Sequence, residues 1–333
     1  MNENVMIGLI HNVPQTGSYA FTEASSDVMT QVESIEEALR NLGYSSKRIP
    51  FTRDIDAFLE AFREKHIDMV FNLCETVDDD PMFSGHAAAV FELTGVPFTG
   101  SPSSALTVTT DKTMTKRILK ACGIRTPKYL IYDGRPHFNP ACLTFPVIVK
   151  PRCEDASIGI DQESVFESEA ALKEALGSFH ERFGSLLVEE YIDGREFNVS
   201  LFGYPTADVM PIAEIDFSAF PRDIHRIVGY RAKWDESSPE YHNAVRKFPG
   251  NLPLPLQESL EKIARECFTL FTLRDYARVD FRTDRRNRPY VLEINANPCI
   301  SPDAGFIASL EHAGINYTEM VRHFVEFMSL RSH

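Results

Sequence analysis

The stretches that decide the fold are ARVDF, residues 277–281, and YVLEINANP, residues 290–298. Apolar and polar residues alternate in both, and the polar segment DRRN, residues 284–287, lies between them. This pattern predicts two antiparallel strands joined by a short connection.

The hairpin is predicted to have one polar and one apolar face, because successive side chains of a strand point to opposite sides. The polar face collects a guanidinium, two carboxylates and a carboxamide, from Arg278, Asp280, Glu293 and Asn295. The apolar face is predicted to pack into a core through Val279, Phe281, Leu292 and Ile294. Carboxylate and carboxamide oxygens suit Mg²⁺, a hard cation that completes its shell with substrate phosphates. The alternative is a solvated face with an arginine–aspartate ion pair.

The first hundred residues predict an α/β unit. Residues 6–10 form an apolar run typical of a buried strand, and a second strand is predicted at residues 67–73. Between them, steps of three and four residues place one apolar stripe on a helix, formed by Val28, Val32, Ile35, Leu39 and Leu42. Alternating strands and helices predict a parallel sheet with helices on its faces.

The composition excludes some classes of partner. The chain of 333 residues carries 34 basic and 48 acidic residues, a formal net charge of −14. That balance argues against a nucleic-acid partner, which needs a concentrated positive surface. The apolar run at residues 5–10 has no basic segment before it, and no stretch approaches about 20 consecutive apolar residues. We therefore expect a cytoplasmic protein with no membrane partner.

Three further motifs surround the hairpin. FPVIVKP, residues 145–151, is an apolar strand that ends in a lysine, and Asp111 and Lys112 open a predicted helix. LLVEEYIDGRE, residues 186–196, places acids just after a buried strand. In this order, and with the hairpin, the motifs resemble the ATP-grasp superfamily and, within it, the D-alanine:D-alanine ligase group. The resemblance runs from about residue 70 to about residue 321.

The resemblance implies a fold and an activity. The fold class is α/β plus α+β, with an N-terminal Rossmann-like parallel-sheet domain at residues 1–103. A two-lobed ATP-grasp fold follows, with a central lobe at residues 104–189 and a C-terminal lobe at residues 190–333. The implied enzyme is an ATP-dependent carboxylate–amine ligase that works through an acyl phosphate on small-molecule substrates. A homodimer is common in this family.

The resemblance also implies roles for individual residues. The ATP contacts fall on Lys112, Lys150, Ser157, Glu189, Ile192, Glu196 and Lys233. Of these, Glu189 and Ile192 fall in the family segment that holds adenine, and Glu196 matches the acid that binds the ribose hydroxyls. Two Mg²⁺ ions, which Mn²⁺ can replace, are implied at Asp280, Glu293 and Asn295. Arg278 and the backbone N–H of Cys299 match groups beside the developing oxyanion, and Lys233 matches a lysine on a closing loop.

The sequence departs from this family where the family binds its two amino acids. Glu75 stands in place of a histidine, and Ala304 replaces the hydroxyl that binds the second substrate's carboxylate. Residues 11–26 lack the family's glutamate motif, with Glu23 as their only acid. Glu75, the acids at residues 78–80 and Asp303 suggest a substrate with an amino or other cationic group. The alternative for residues 78–80 is a solvated loop.

Other functions stay open from the sequence. A D-alanine:D-alanine ligase proper is one alternative. A kinase-like ATP-grasp enzyme and a non-catalytic ATP-binding module are the others, and the complete Mg²⁺ set disfavours the module. The identity of the two substrates does not follow from these residues.

Overall fold

A computed structural model describes residues 5–14, 21–135, 137–221 and 223–331. Residues 15–20, part of the segment at 11–26 that lacks the family's glutamate motif, lie outside the described residues. The strands are β1 (Met6–His11), β2 (Ser45–Pro50), β3 (Met69–Leu73), β4 (Tyr129–Tyr132), β5 (Val147–Pro151), β6 (Val165–Phe166), β7 (Leu186–Glu190), β8 (Glu196–Gly203), β9 (Asp208–Val209), β10 (Ala213–Asp216), β11 (Val245–Lys247), β12 (Asp275–Thr283) and β13 (Pro289–Asn295).

The helices alternate with these strands in the N-terminal part and flank them elsewhere. They are α1 (Thr22–Asn41), α2 (Ile55–Glu64), α3 (Ser84–Thr94), α4 (Ser103–Thr110), α5 (Lys112–Ala121), α6 (Glu169–Phe183), α7 (Tyr230–Trp234), α8 (Pro239–Asn243), α9 (Leu254–Leu270), α10 (Gly305–His312) and α11 (Tyr317–Arg331). Short 3₁₀ turns occur at Pro81–Phe83 and Gln162–Ser164. Within the described residues, no helix combines the length and apolar composition needed to cross a bilayer.

The N-terminal sheet has the order β2–β1–β3, and both pairings are parallel, which confirms the predicted α/β unit. The predicted stripe on α1 is buried against one face of this sheet, except that Leu42 lies at the end of the helix and is only partly buried. Gly43 follows with φ of +82°, a left-handed conformation that glycine adopts without a Cβ penalty. The helix therefore ends where the sequence predicts.

Two antiparallel sheets follow. The middle sheet has the order β4–β7–β5–β6, and α6 covers it through Leu172 and Leu176. The C-terminal sheet has the order β11–β10–β8–β12–β13, with β9 paired to β8. Helix α9 packs on one face of the C-terminal sheet, and the opposite face meets the middle sheet across a cleft.

The hairpin β12–β13 is present with the predicted polar row, but one apolar position is wrong. Asp280 pairs with Glu293, whereas the next pair is Phe281 with Val291, so Leu292 is an extra residue in a β-bulge. Val291 consequently takes the core position, fully buried, and Leu292 turns into the cleft. The sequence contains no residue that marks this bulge.

The three-part division remains a prediction, and the packing refines its boundaries. Helices α4 and α5 pack against α3 and β13, so residues 103–121 do not belong with the middle sheet. The core of the middle sheet is built from residues after Tyr129, including Leu130 and Val147. Its last strand ends at Glu190, one residue beyond the predicted boundary.

Candidate active site

The cleft between the middle and C-terminal sheets has a volume of about 570 Å³. Side chains from the N-terminal part of the chain also line it, through α1 and the segment after β3. Apart from the acids at residues 78–80, every residue that the sequence predicts as a site residue lines this one cleft: Glu75, Lys112, Lys150, Ser157, Glu189, Ile192, Glu196, Lys233, Arg278, Asp280, Glu293, Asn295, Cys299 and Asp303. Their convergence is a property of the fold, and their individual roles remain predictions.

Glu293 is the electrostatic centre of the cleft. Burial alone raises the pKa of Glu293, but Lys112, Lys233, Lys150 and Arg278 together lower it to about 2. Glu293 is therefore ionised throughout the physiological range, and the four cations predicted from the sequence all act on it. Such a cluster of positive charge is suited to a triphosphate.

The polar row of β12 and β13 has the donor set for Mg²⁺. Asp280 Oδ1 accepts from Arg278 Nε at 2.8 Å and from Asn198 Nδ2 at 2.7 Å, while Asn295 Nδ2 donates to Asp280 Oδ2 at 3.1 Å. The Asn295 carboxamide oxygen thus remains an acceptor beside two carboxylates. Among residues that the structure describes, no three His, Cys, Asp or Glu side chains are grouped closely enough to hold a metal. Two carboxylates and a carboxamide oxygen are donors that suit Mg²⁺, which takes one or two carboxylates and completes its shell with phosphate.

Lys112 is held over the loop that follows β5. Asp111 caps α5 by accepting from Thr113 N at 2.9 Å, and the same carboxylate binds Arg152 Nε at 2.9 Å. Lys112 Nζ lies 3.2 Å from Asp155 Oδ1. Asp155 lies in the segment at residues 152–159, here called the phosphate-binding loop for the role that the family resemblance implies, and was not predicted as a site residue. In the structure, the Asp155 carboxylate binds the Lys112 ammonium group, which would contact a phosphate when ATP is bound.

Lys150, Glu189 and Lys116 form a buried ion-pair triad. The two carboxylate oxygens of Glu189 are each 2.7 Å from an ammonium group, Oε1 from Lys150 and Oε2 from Lys116. Burial alone raises the pKa of Glu189, but the two lysines outweigh it and hold the pKa below its ordinary value. Sequence reasoning missed Lys116, although it follows Lys112 by four residues and so shares its helix face. The predicted adenine contact of Glu189 stays a prediction.

Arg282 organises the predicted adenine and ribose end of the cleft. Its Nε donates to Glu196 Oε2 at 2.9 Å, and its Nη1 donates to the Ile192 carbonyl at 3.0 Å. Its guanidinium also lies 4.9 Å from the centre of the Tyr191 ring. Arg282 was not predicted, although alternation along β12 places it on the face of Arg278 and Asp280.

Helix α7, which carries Lys233, closes over the phosphate-binding loop. Trp234 Nε1 donates to the Ala156 carbonyl at 3.1 Å, and Ser157 Oγ donates to the Val228 carbonyl at 2.8 Å. Ala156 and Ser157 have φ of +53° and +61°, consecutive left-handed residues of the kind that turn backbone N–H groups toward an anion. Burial and the neighbouring Arg278 lower the pKa of Lys233. Because the Ser157 hydroxyl already donates to the Val228 carbonyl, the backbone N–H of Ser157 is the better candidate for a phosphate contact.

A second group of acids lines the opposite end of the cleft. Gln31 Nε2 bridges two carboxylates, at 2.9 Å from Glu75 Oε1 and 3.3 Å from Asp27 Oδ2. Burial raises the pKa of Glu75 to about 7, and Asp27 adds to that effect although Gln31 opposes it. Asp27 also accepts from Ser301 Oγ at 2.8 Å. Sequence reasoning missed Asp27 because it lies one residue beyond the segment at 11–26 that was compared with the family.

The acids at residues 78–80 divide between two environments. Asp78 and Asp80 each lie 3.6 Å from Arg53, with 44% and 39% of their side chains exposed. Only Asp79 lines the cleft. The cationic-substrate interpretation is therefore wrong for Asp78 and Asp80, and the solvated-loop interpretation applies to them.

Comparison with known proteins identifies the family. The family model for the D-Ala D-Ala ligase C-terminus matches residues 119–326. A D-alanine–D-alanine ligase of Carboxydothermus hydrogenoformans is 32% identical over 299 residues, covering 87% of this chain and 89% of that protein. The uncharacterized protein y4sG of Sinorhizobium fredii is 31% identical over 299 residues, covering 87% and 84%.

A solved structure shares the whole fold. The crystal structure of D-alanine–D-alanine ligase from Bacillus anthracis, complexed with ATP, matches with a TM-score of 0.77 over 98% of both chains, at 22% identity. The predicted fold class and the predicted family resemblance are confirmed. This chain belongs to the D-alanine–D-alanine ligase family and is an ATP-dependent ligase that forms carbon–nitrogen bonds.

Proposed function

We propose that this protein joins the carboxylate of one amino-acid-type substrate to the amine of another, and that its preferred pair is not two molecules of D-alanine. The observation that carries the proposal is the contrast between the two ends of the cleft. The four cations around Glu293 are complete. The opposite end of the cleft, called the substrate end below, contains Asp27, Glu75 and Ala304, which do not match the residues with which the family binds its two amino acids.

The chemistry begins with a poor electrophile. A carboxylate oxygen takes the terminal phosphoryl group of ATP, which gives an acyl phosphate and ADP. The amine then attacks the carbonyl carbon, the carbon–oxygen bond to phosphate breaks with its electron pair, and the amine loses a proton. When bound, two Mg²⁺ ions at Asp280, Glu293 and Asn295 would offset the charge of the phosphates.

The residues of this chain have distinct tasks in that reaction. Lys112, Lys150 and Lys233 would orient the phosphates, because they surround the same ionised Glu293. Arg278 and the backbone N–H of Cys299 would stabilise the tetrahedral oxyanion. Within the described part of the chain, the Cys299 N–H has no hydrogen-bond acceptor, which supports this assignment. Helix α7 would exclude the water that otherwise hydrolyses the acyl phosphate.

Asp27 and Glu75 support an amino group on the substrate that supplies the carboxylate. The two carboxylates share one amide donor, Gln31, so further positive hydrogen-bond donors would be stabilising there. An ammonium group offers three such donors. We therefore expect the substrate that supplies the carboxylate, called the donor substrate below, to be an amino acid.

The first prediction concerns pH. Because the pKa of Glu75 is about 7, its ionised fraction rises from about one tenth at pH 6 to about nine tenths at pH 8. We expect kcat/KM for an amino-acid donor to rise about tenfold over that range from this group alone. The measurement is phosphate release against pH, for the wild type and for Glu75→Gln.

The comparison between these two proteins isolates Glu75, since deprotonation of the acceptor amine contributes equally to both. Glu23→Gln is the matched control, because Glu23 contacts the Tyr230 hydroxyl at 3.0 Å instead. Superimposable profiles for the wild type and Glu75→Gln would remove Glu75 from the donor site.

The activity itself is tested with a panel. ATP-dependent phosphate release is measured with D- and L-amino acids and simple amines, and the products are identified by mass spectrometry. An amide product has lost water relative to its substrates, whereas a kinase product keeps the phosphoryl group. Phosphate release without a condensed product in every combination would contradict the ligase proposal.

The second candidate is a D-alanine–D-alanine ligase proper. The 32% identity to the Carboxydothermus hydrogenoformans enzyme of that name favours it. Faster turnover with D-alanine than with every other substrate in the panel would select this candidate and exclude the first.

A further inference from the structure

Arg246 places a positive charge at the substrate end of the cleft. The reaction proposed above assigns this side chain no role. It lies on β11, where Ile215 of β10 pairs with it, and its side chain lines the cleft. No carboxylate or carbonyl of the described residues accepts a hydrogen bond from its guanidinium or forms an ion pair with it. The adjacent Lys247 points to the other face of the strand and is paired with Asp216.

The surroundings of Arg246 hold it in the cleft. A Cβ atom at Gly305 would lie only 3.0 Å from Arg246 Nη2 and 3.2 Å from Nε, so the absence of a side chain at Gly305 makes room for the guanidinium. Burial and the neighbouring Arg278 lower the pKa of Arg246, and Asp303 opposes them. Two guanidinium groups thus face one space, an arrangement that an anion between them would stabilise.

We propose that Arg246 binds a carboxylate of the amine substrate and thereby determines which amines are accepted. The assignment rests on the proposed ligase function. A guanidinium matches a carboxylate through two parallel hydrogen bonds, which a methyl group such as that of Ala304 cannot supply. Asp27 and Glu75, assigned to the amino group of the carboxylate-supplying substrate, repel a second carboxylate, whereas Arg246 adjoins Arg278, beside which the amine must attack.

The charged neighbours of Arg246 differ from those of the three predicted phosphate-binding lysines. The charged groups that act on Arg246 are Arg278 and Asp303, whereas Lys112, Lys150 and Lys233 act on Glu293. Its anionic partner is therefore a group on the substrate side. The acceptor is accordingly an amino acid, or a larger amine with a carboxylate close to the attacking nitrogen.

The test uses two amine substrates, called acceptors here, that differ in the charge of one group. The best amino-acid acceptor of the panel and its carboxamide derivative are compared with the full-length wild type and with Arg246→Gln. We expect the KM for the amino acid to rise at least about tenfold in the variant, with the KM for the carboxamide unchanged. Arg246→Lys should recover part of the affinity, because it keeps the charge and loses the two-pronged geometry.

Lys247→Gln is the matched control, one residue away on the opposite face, and should leave both KM values unchanged. Arg246 makes no hydrogen bond or ion pair with the described residues, and part of its side chain reaches solvent at the edge strand β11, so the variant should fold, and its thermal unfolding verifies this. An equal change in KM for both acceptors, or no change for either, would overturn the assignment.

Calorimetry separates this assignment from the proposed function. Binding of the same two compounds is measured with ADP and Mg²⁺ present. Binding that depends on Arg246 and on the carboxylate, without ligation in any combination, would overturn the ligase proposal and retain the carboxylate site. Ligation together with carboxylate affinity that does not depend on Arg246 would overturn the carboxylate site alone.

Discussion

Replacement of Glu293 by Gln is expected to lower the rate of ligation at least about a thousandfold while the fold is retained. Glu293 is the anion on which four cationic side chains act, and its pKa of about 2 keeps it charged. The carboxamide of Gln has nearly the same shape but neither the charge nor the metal affinity. The predicted Mg²⁺ set would then lose one of its two carboxylates.

Single-turnover phosphate release measures this effect, and far-ultraviolet circular dichroism during thermal unfolding verifies the fold. Glu258→Gln is the matched control, because Glu258 is an exposed residue of α9, on the far side of the C-terminal sheet. A rate for Glu293→Gln within tenfold of the wild type would contradict the placement of the phosphate and metal site on this hairpin.

Replacement of Glu189 by Gln is expected to lower the free energy of unfolding by about 3–5 kcal/mol. The substitution leaves two buried ammonium groups, those of Lys116 and Lys150, without the carboxylate that lies 2.7 Å from each. Only 1% of the Lys116 and Glu189 side chains is exposed, so water cannot replace the lost interaction. Nucleotide affinity should fall as well, because Lys150 loses the group that orients it.

Urea-induced unfolding measures the loss. The control is Glu169→Gln, which breaks an ion pair of similar length, 2.6 Å to Lys173, with about half of each side chain exposed. That change should stay within about 0.5 kcal/mol of the wild type. If Glu189→Gln were equally mild, the triad would not be a structural element of the cleft.

The hairpin shows what the sequence could predict. Alternation along β12 identified Arg278 and Asp280 as neighbours on one face, because the period of a strand depends only on local backbone geometry. The same reasoning failed at Leu292, since the bulge is set by how β13 meets its partner strand. Strand periodicity therefore predicts which face of the hairpin a side chain occupies, up to the point where a bulge shifts the pairing by one residue.

The substrate end of the cleft could not be predicted in the same way. Its acids come from residues 27 and 75, and Arg246 joins them from a separate sheet. No spacing in the sequence relates these positions, because only the packing of the three sheets brings them together. Lys116 and Arg282 differ, since helical and strand periods respectively would have identified them.

The closure of α7 over the phosphate-binding loop has a practical consequence. The chain has a single tryptophan, and it is Trp234, whose indole N–H donates to Ala156 across that contact. The proposed opening of α7 would break this hydrogen bond and expose the indole to water. Tryptophan fluorescence of the unlabelled enzyme would therefore report on α7, so stopped-flow mixing with nucleotide tests whether this helix closes and opens during turnover.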